Sequence, residues 1–247
     1  MGLKESGLRG SLRNVSVGID AIPDSAIHHY ITGDFTESNW PDDIGNIDID
    51  DIDSGISFNS TAFDGSGGVS GDGNSVARTT DNFNDFGNNV FASGGWAVAF
   101  QFEGYTDSGE DHFINSRETD GVRIEIGSHG FGGGDEDKLT FQVQGSGRSD
   151  ERHSVESDMK INDGGTYTAI CQMEGLSAED MFIYFSETDG HQNILTNEND
   201  VTSGDLSRMW YFGADDAGET EVTLNDVFWF EDSLDENQRS NVFGYFD

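Results

Sequence analysis

Apolar side chains recur at every second position along much of this chain, the period of a strand with one buried face. Trp96-Ala97-Val98-Ala99-Phe100-Gln101-Phe102 alternates large and small side chains over its whole length. Val122, Ile124 and Ile126 alternate with Arg123 and Glu125, and Leu139, Phe141 and Val143 alternate with Thr140 and Gln142. Residues 167–173, 181–185 and 209–212 are further strand-like runs. Nearer the start, Tyr30 and Phe35 suit a first short strand and residues 40–46 a turn. Ile47, Ile49 and Ile52 suit an edge strand whose outer face carries aspartates. Glycine-, aspartate- and serine-rich stretches punctuate these runs, notably 65–73, 127–134 and 145–150. Such spacing, without any repeat at a fixed period, predicts an all-β sandwich.

The last quarter carries a strand dense in β-branched and aromatic residues: Val222, Leu224, Val227, Phe228, Trp229 and Phe230. Ser233 and Glu236 then stand at the spacing of a capping box, which predicts a short helix over 233–241. The first 26 residues differ from all that follows. Up to Ile19, Lys4, Arg9 and Arg13 face only Glu5, and the apolar residues between them keep no helical period. Pro23-Asp24-Ser25 closes the segment. Two readings of it stay open: a disordered leader, or an arm whose Lys4, Leu8, Arg9, Leu12 and Arg13 dock on an acidic partner such as a neighbouring subunit. The expected organisation is an arm over 1–26 and one domain over 27–247.

Composition changes the picture mainly through charge. Only 34 % of the 247 residues are hydrophobic, yet 18 are Phe, so a few large side chains must build the core. Against 48 acidic residues stand 12 Lys and Arg, a formal net charge of −36. At a Debye length of roughly 10 Å that load repels itself, whereas molar salt shortens the length to about 3 Å. The acids run along the whole chain, interleaved with the strands, which points to a halophile's solvated surface and not to an acidic tail. DNA, RNA and anionic membranes are poor partners for it. Cys171 is the single cysteine, expected as a buried small hydrophobe. No apolar run reaches membrane-spanning length. The first residues lack a signal peptide's apolar core, so export by the usual amino-terminal route is not expected.

The order of these features resembles the laminin G-like, concanavalin A-like jelly-roll domains. Ala62-Phe63-Asp64-Gly65 followed by the strand at Trp96 resembles their opening. Residues 161–169, 181–185 with a hairpin over 186–190, and 211–214 resemble their middle strands. Residues 223–230 with Ser233-Leu234-Asp235-Glu236 resemble their closing strand and helix. The match covers roughly 28–247. It departs at Thr166-Tyr167, where the family has tryptophan and histidine, and at Thr223, where it has glycine. The resemblance implies a concanavalin A-like jelly-roll sandwich with a short C-terminal helix. It also implies Ca²⁺ as a cofactor at the sheet edge, for which Asp42, Asp43, Asp215, Asp216 and Asp226 are the candidate ligands; hydrated surface aspartates are the alternative. Residues 8–16 are similar to the leaders of structural proteins of haloarchaeal tailed viruses.

Glycosidases occur on this fold, and a retaining one needs two carboxyls about 5 Å apart. Glu118-Thr119-Asp120, Glu187-Thr188-Asp189 and Glu198-Asn199-Asp200 each begin an E-x-D-x(x)-E pattern, and none completes it. Glu125 has no acid two residues away on either side. A nucleophile elbow, a P-loop, an H-E-x-x-H motif and an EF-hand loop are all missing from the sequence. The six histidines stand mostly in expected loops at no ligand spacing and read as surface residues. Rim loops of such sandwiches seat sugars on aromatic faces, which makes Tyr105, His129 and Phe131 the candidate ligand contacts. Phe83, Phe86 and Phe91 read instead as core plugs beneath a long loop. The expected function is non-enzymatic: a virion surface protein of a halophilic virus, turret or tail fibre, assembled in the host cytoplasm. Its arm would bind other virion proteins and its own copies, and its sandwich a host glycan or glycoprotein. An atypical glycosidase and an intracellular binding module of a halophile are the alternatives.

Overall fold

A computed structural model describes residues 22–83, 95–106, 111–116, 122–128, 134–145, 151–199, 201, 206, 208–213 and 220–247. Among them sixteen strands form two antiparallel sheets, numbered here in chain order. The first sheet holds β1 (Ala26–Tyr30), β3 (Ser57–Asn59), β4 (Gly68–Ser70), β6 (Trp96–Glu103), β11 (Thr166–Met173), β12 (Met181–Tyr184), β13 (Gly190–His191) and β16 (Thr223–Phe230). Its order is β13-β12-β11-β6-β16-β4-β3, with β1 also on β16. The second holds β2 (Ile49–Ile52), β5 (Ala77–Thr79), β7 (Asp111–Asn115), β8 (Arg123–Ser128), β9 (Lys138–Gln144), β10 (Arg152–Lys160), β14 (Asn193–Asn197) and β15 (Trp210–Tyr211), in the order β14-β10-β9-β8-β7-β15-β5-β2. This is a jelly-roll sandwich, and β2 is the edge strand that its alternating aspartates predict.

The large–small alternation of β6 now has a cause. Trp96, Val98, Phe100 and Phe102 point into the space between the sheets and share one core with Ile124, Ile126, Phe141, Val143 and Val155 of the second sheet. Trp96 meets Phe141 edge-on, with ring centroids 5.3 Å apart. Across the same core the Trp229 indole N–H donates to the Tyr211 hydroxyl at 3.3 Å. On the other face, Ala97 and Ala99 leave room for a second cluster. In it Ile170, Tyr184, Phe228 and Phe230 meet Leu234, Val242 and Phe243 from the helix α1 (Glu236–Phe246) and its approach. Phe83 is fully buried against Trp229, as a core plug should be; Phe86 and Phe91 lie outside the described residues. Cys171 is buried and faces the core, and burial pushes its thiol pKa far up, so it is inert.

Three expectations need correction. The helix is capped by Asp235, not Ser233. The Asp235 carboxylate accepts from the Gln238 N–H (2.9 Å), and Gln238 Oε1 accepts from the Asp235 N–H (2.8 Å). It starts late because Leu234 is held extended: the Gln172 amide accepts from the Leu234 N–H (2.9 Å) and donates to its carbonyl (3.2 Å). The helix then runs on to Phe246, beyond the expected end at Asn241. Phe35 is not in the first strand, because β1 ends at Tyr30 and a 3-10 turn over Thr32–Asp34 follows. Four of the six histidines are not surface residues: His28, His29, His112 and His153 lie in strands and are at most 3 % exposed, while His191 is half-buried and His129 lies outside the described residues.

Candidate functional site

The second sheet turns an unusual face away from the core. Its strands alternate strictly enough that the neighbours of each outward residue, such as Ile114, Ile124, Phe141, Val143, Val155 and Tyr211, belong to the core cluster. The outward residues are polar, and strand register sets them side by side. Pairing runs Asp51↔Arg78, Arg78↔Trp210, Trp210↔Asn115, Asn115↔Glu125, Glu125↔Gln142, Gln142↔Ser154 and Ser154↔Thr196. Residues directly opposite in an antiparallel pair share a face. One polar row therefore crosses all eight strands at right angles to them.

At the β2 end of the row, Arg78 Nε donates to Asp51 (2.6 Å) while its guanidinium lies 4.8 Å over the Trp210 ring. In the middle, Gln142 Nε2 donates to Glu125, and Arg123 Nη1 stands 3.8 Å from the other Glu125 oxygen. Beside the row, Glu156 accepts from the Asp135 N–H (2.7 Å), Lys138 Nζ (3.0 Å) and Asn193 Nδ2 (2.8 Å). Bonds to Asp135 and then Glu156 push the Lys138 ammonium well above its ordinary range, so it stays charged at every working pH. Gly127 lets β7 approach here, because a Cβ would stand 2.0 Å from the Asp111 carbonyl oxygen.

The middle of the row, from Trp210 to Ser154, is closed to solvent, while Asp51, Arg78 and Thr196 at its ends are partly exposed. Asn115 and Ser154 are 0 % exposed, Gln142 2 % and Trp210 5 %. Both polar atoms of the Asn115 amide, Trp210 Nε1, Gln142 Oε1 and Ser154 Oγ have no hydrogen-bond partner among the described residues. Buried polar atoms left unpaired cost about 1–3 kcal/mol each, and proteins seldom keep several together. Chemically, the row offers two donors (Trp210 Nε1 and Asn115 Nδ2), two acceptors (Asn115 Oδ1 and Gln142 Oε1) and one hydroxyl, all facing one way.

The residues singled out from the sequence fall elsewhere. Tyr105 does not present a ring to ligand. It is 1 % exposed, its hydroxyl donates to Asp111 (2.9 Å), and its ring packs on Phe113. Asp42 and Asp226 do not fit a Ca²⁺ site, because their oxygens are already engaged. Asp42 accepts from the N–H groups of His29 (3.1 Å), Ile44 (3.3 Å), Gly45 (2.9 Å) and Ile47 (3.3 Å), and from His28 Nδ1 (2.6 Å). Burial alone would raise this carboxyl. The bonds from His28, Gly45 and His29 outweigh it and hold the pKa below the ordinary carboxylate range. Asp226 is buried in a bulge of β16, where Leu224 pairs with Phe102 but Val227 with Phe100. It accepts from the Thr32 N–H (2.6 Å) and the Tyr245 hydroxyl (2.5 Å). Asp43 is exposed. His129, Phe131, Asp215, Asp216 and the arm residues Lys4, Leu8, Arg9, Leu12 and Arg13 lie outside the described residues. Among the described residues, no three His, Cys, Asp or Glu side chains converge as a metal site.

No family model matches this sequence, and no curated protein matches it either. Solved structures do share its fold. Domain 4 of AbnA, a GH43 extracellular arabinanase from Geobacillus stearothermophilus solved in complex with arabinotriose, superposes with a TM-score of 0.64 at 14 % identity. That match covers 88 % of this chain and 97 % of that one. The binding domain of botulinum neurotoxin DC, solved in complex with SialylT, gives 0.59 at 13 % identity over 91 % of this chain and 52 % of that one. The binding domain of Paraclostridial Mosquitocidal Protein 1 gives 0.61 at 10 % identity over 88 % and 51 %. This chain thus spans about half the length of those two. The molecule shares the jelly-roll β-sandwich fold of these domains, and identities this low establish the fold alone.

Proposed function

We propose that this protein is a glycan-binding module that holds its ligand without turning it over, on the outer face of the second sheet. One observation carries the reading: the cross-sheet row through Trp210, Asn115, Gln142 and Ser154, with polar atoms that no group among the described residues satisfies. Sugar hydroxyls both donate and accept, so a chain of them can meet every one of these atoms. Two of the structural neighbours were solved with saccharide ligands, which supports the choice of chemistry. Binding without hydrolysis is supported by the neighbours of Glu125 across the strands: Asn115 and Gln142, where a retaining enzyme needs a second carboxylate close by. Glu156, the other carboxylate beside the row, already takes three donors.

The setting that best suits this module is the surface of a halophilic virion, where it would attach the particle to a host glycan. Residues 1–26 would anchor it to itself and to other virion proteins. The charge of −36 supports the saline setting, and the basic composition of the arm supports the anchor.

Glycan-array binding at molar salt, followed by Asn115→Leu, tests the module. Wild-type protein should bind a defined set of glycans. The variant should lose at least tenfold in affinity yet melt higher, since it removes a buried amide with no partner. A variant that melts lower and binds as before would make Asn115 structural and end the proposal. Turnover of a bound glycan, abolished in Glu125→Gln, would replace it with a hydrolase. A chain lacking residues 1–26 that still assembles like the full one would remove the anchor.

A further inference from the structure

We infer that Asn59 is an N-glycosylation site, at which the chain carries a sugar of its own. Asn59-Ser60-Thr61 is one of two N-x-S/T triplets in the sequence; the other, Asn14-Val15-Ser16, lies outside the described residues. Such triplets arise by chance. This one is distinguished by its place in the fold and by the way its amide is held.

Asn59 is half-buried and ends β3, the last strand at one edge of the first sheet, so among the described residues no further strand covers it. Ser60 and Thr61 form an exposed turn, closed by the Ala62 N–H on the Asn59 carbonyl (3.4 Å). The Thr61 N–H (3.1 Å) and the Thr61 hydroxyl (2.8 Å) both donate to Asn59 Oδ1, while Nδ2 has no partner among the described residues. An amide nitrogen is a weak nucleophile because its lone pair is shared with the carbonyl. Two donors on Oδ1 stabilise the negative charge that gathers there as Nδ2 gives up a proton, and the lone pair is then free to react. Nδ2 attacks the anomeric carbon of a sugar held as a diphosphate ester. The C–N bond forms, the C–O bond breaks with its electron pair passing to the diphosphate, and the Nδ2 proton goes to a base of the transferase.

The surroundings suit an attached sugar. Beside Asn59, the side chains of Ser70, Glu103, Glu221 and Thr223 line a trough of about 250 Å³. That is below the roughly 300–1,000 Å³ of an ordinary ligand pocket, so its hydroxyls and carboxylates serve a tethered ring better than a free ligand. Unpaired strand edges invite other chains and are usually blunted by charge or proline. β3 has neither: residues 54–63 contain no charged residue and no proline, and Phe58 is 47 % exposed. A glycan on Asn59 blunts this edge in their place.

Peptide mass mapping of the full chain from its natural source, beside the same chain made in cells without N-glycosylation, tests this. The natural protein should carry added sugar mass on Asn59. A preformed block of several sugars would identify a lipid-linked diphosphate as the donor, and a lone hexose a nucleotide diphosphate. Asn59→Gln and Thr61→Ala should lose the added mass, and Thr61→Ser, which keeps the hydroxyl, should retain part of it. An unmodified Asn59 in the natural protein overturns the inference. So does a sugar on Asn14 alone, or a Thr61→Ala chain modified as fully as wild type. No ligand enters these measurements, so glycan binding by the second sheet stands or falls separately.

Discussion

Asp42 is a carboxylate whose every lone pair works inside the protein. Four backbone N–H groups and the His28 ring surround it, and its side chain is closed to solvent. Its pKa is depressed in the folded chain, so its contribution to stability is complete above the ordinary carboxylate range, near 3.9. That contribution is lost as pH falls through the lower folded value. The bulk of the acids act in the opposite sense, since protonating them relieves self-repulsion. The useful quantity is therefore the difference between wild type and Asp42→Asn. Urea midpoints should show the variant less stable by about 1–3 kcal/mol at neutral pH, with the gap closing below about pH 4. A gap independent of pH would mean that the ionised form of Asp42 has no special place in the fold. The resemblance marked Asp42 and Asp226 as candidate Ca²⁺ ligands, with hydrated surface aspartates as the alternative. What it could not show is that N–H groups and a tyrosine hydroxyl, brought from up to 194 positions away, take the oxygens a metal would need.

Among the elements, α1 depends on a contact that no helical pattern discloses. Gln172, on the outer face of β11, grips both backbone groups of Leu234. Arg239 then donates to the Glu187 carbonyl (3.0 Å), and its guanidinium lies 4.1 Å over Tyr184. Gln172→Ala leaves the buried Leu234 N–H unpaired, while the Leu234 carbonyl keeps its bond from Arg239 Nη1, so the cost is about 1–3 kcal/mol. Hydrogen exchange should then show 234–246 opening well before the sheets; uniform loss of protection would assign Gln172 a different role. Strands β6, β8, β9 and β16 were legible because their inward positions are aromatic, branched or leucine at period two. Strands β7 and β10 were not. In β10, His153 and Ser154 are both fully buried, so burial no longer tracks polarity. The candidate site was only half legible for the same reason. Alternation put Glu125 and Gln142 on an outward face, while Asn115 and Ser154 lie on the two strands that it missed. Their alignment is a matter of register, which periodicity does not encode.

At the scale of the whole molecule the dominant quantity is charge. Several lysines and arginines are drawn into pairs such as Arg78–Asp51, Arg152–Glu198 and Lys160–Asp137, and at 12 Lys and Arg against 48 acids the whole chain cannot balance its charge. The remaining repulsion acts between exposed groups and is screened by salt. For a chain of this size each kcal/mol of relief raises Tm by about 2–4 °C. Melting between about 0.1 M and 2 M KCl should therefore show a rise of roughly 10 °C. A Tm that is flat or falls with salt would show that the acids are already accommodated at low ionic strength.

β16 also sets a timetable. One edge pairs with β6, and the other is shared by β4 and β1, with the first of these three partners at Ala26–Tyr30. A ribosome working at about 5–20 residues per second leaves β1 waiting roughly 10–40 s for its partner. Once made, β4 and β6 each show an open edge for the later part of that interval, the usual route by which unfinished chains stick together. The acids are spread along the chain, so partly made copies share the sign of charge that the finished ones carry. Mutual repulsion can then guard the protein during synthesis, before there is a fold to protect it.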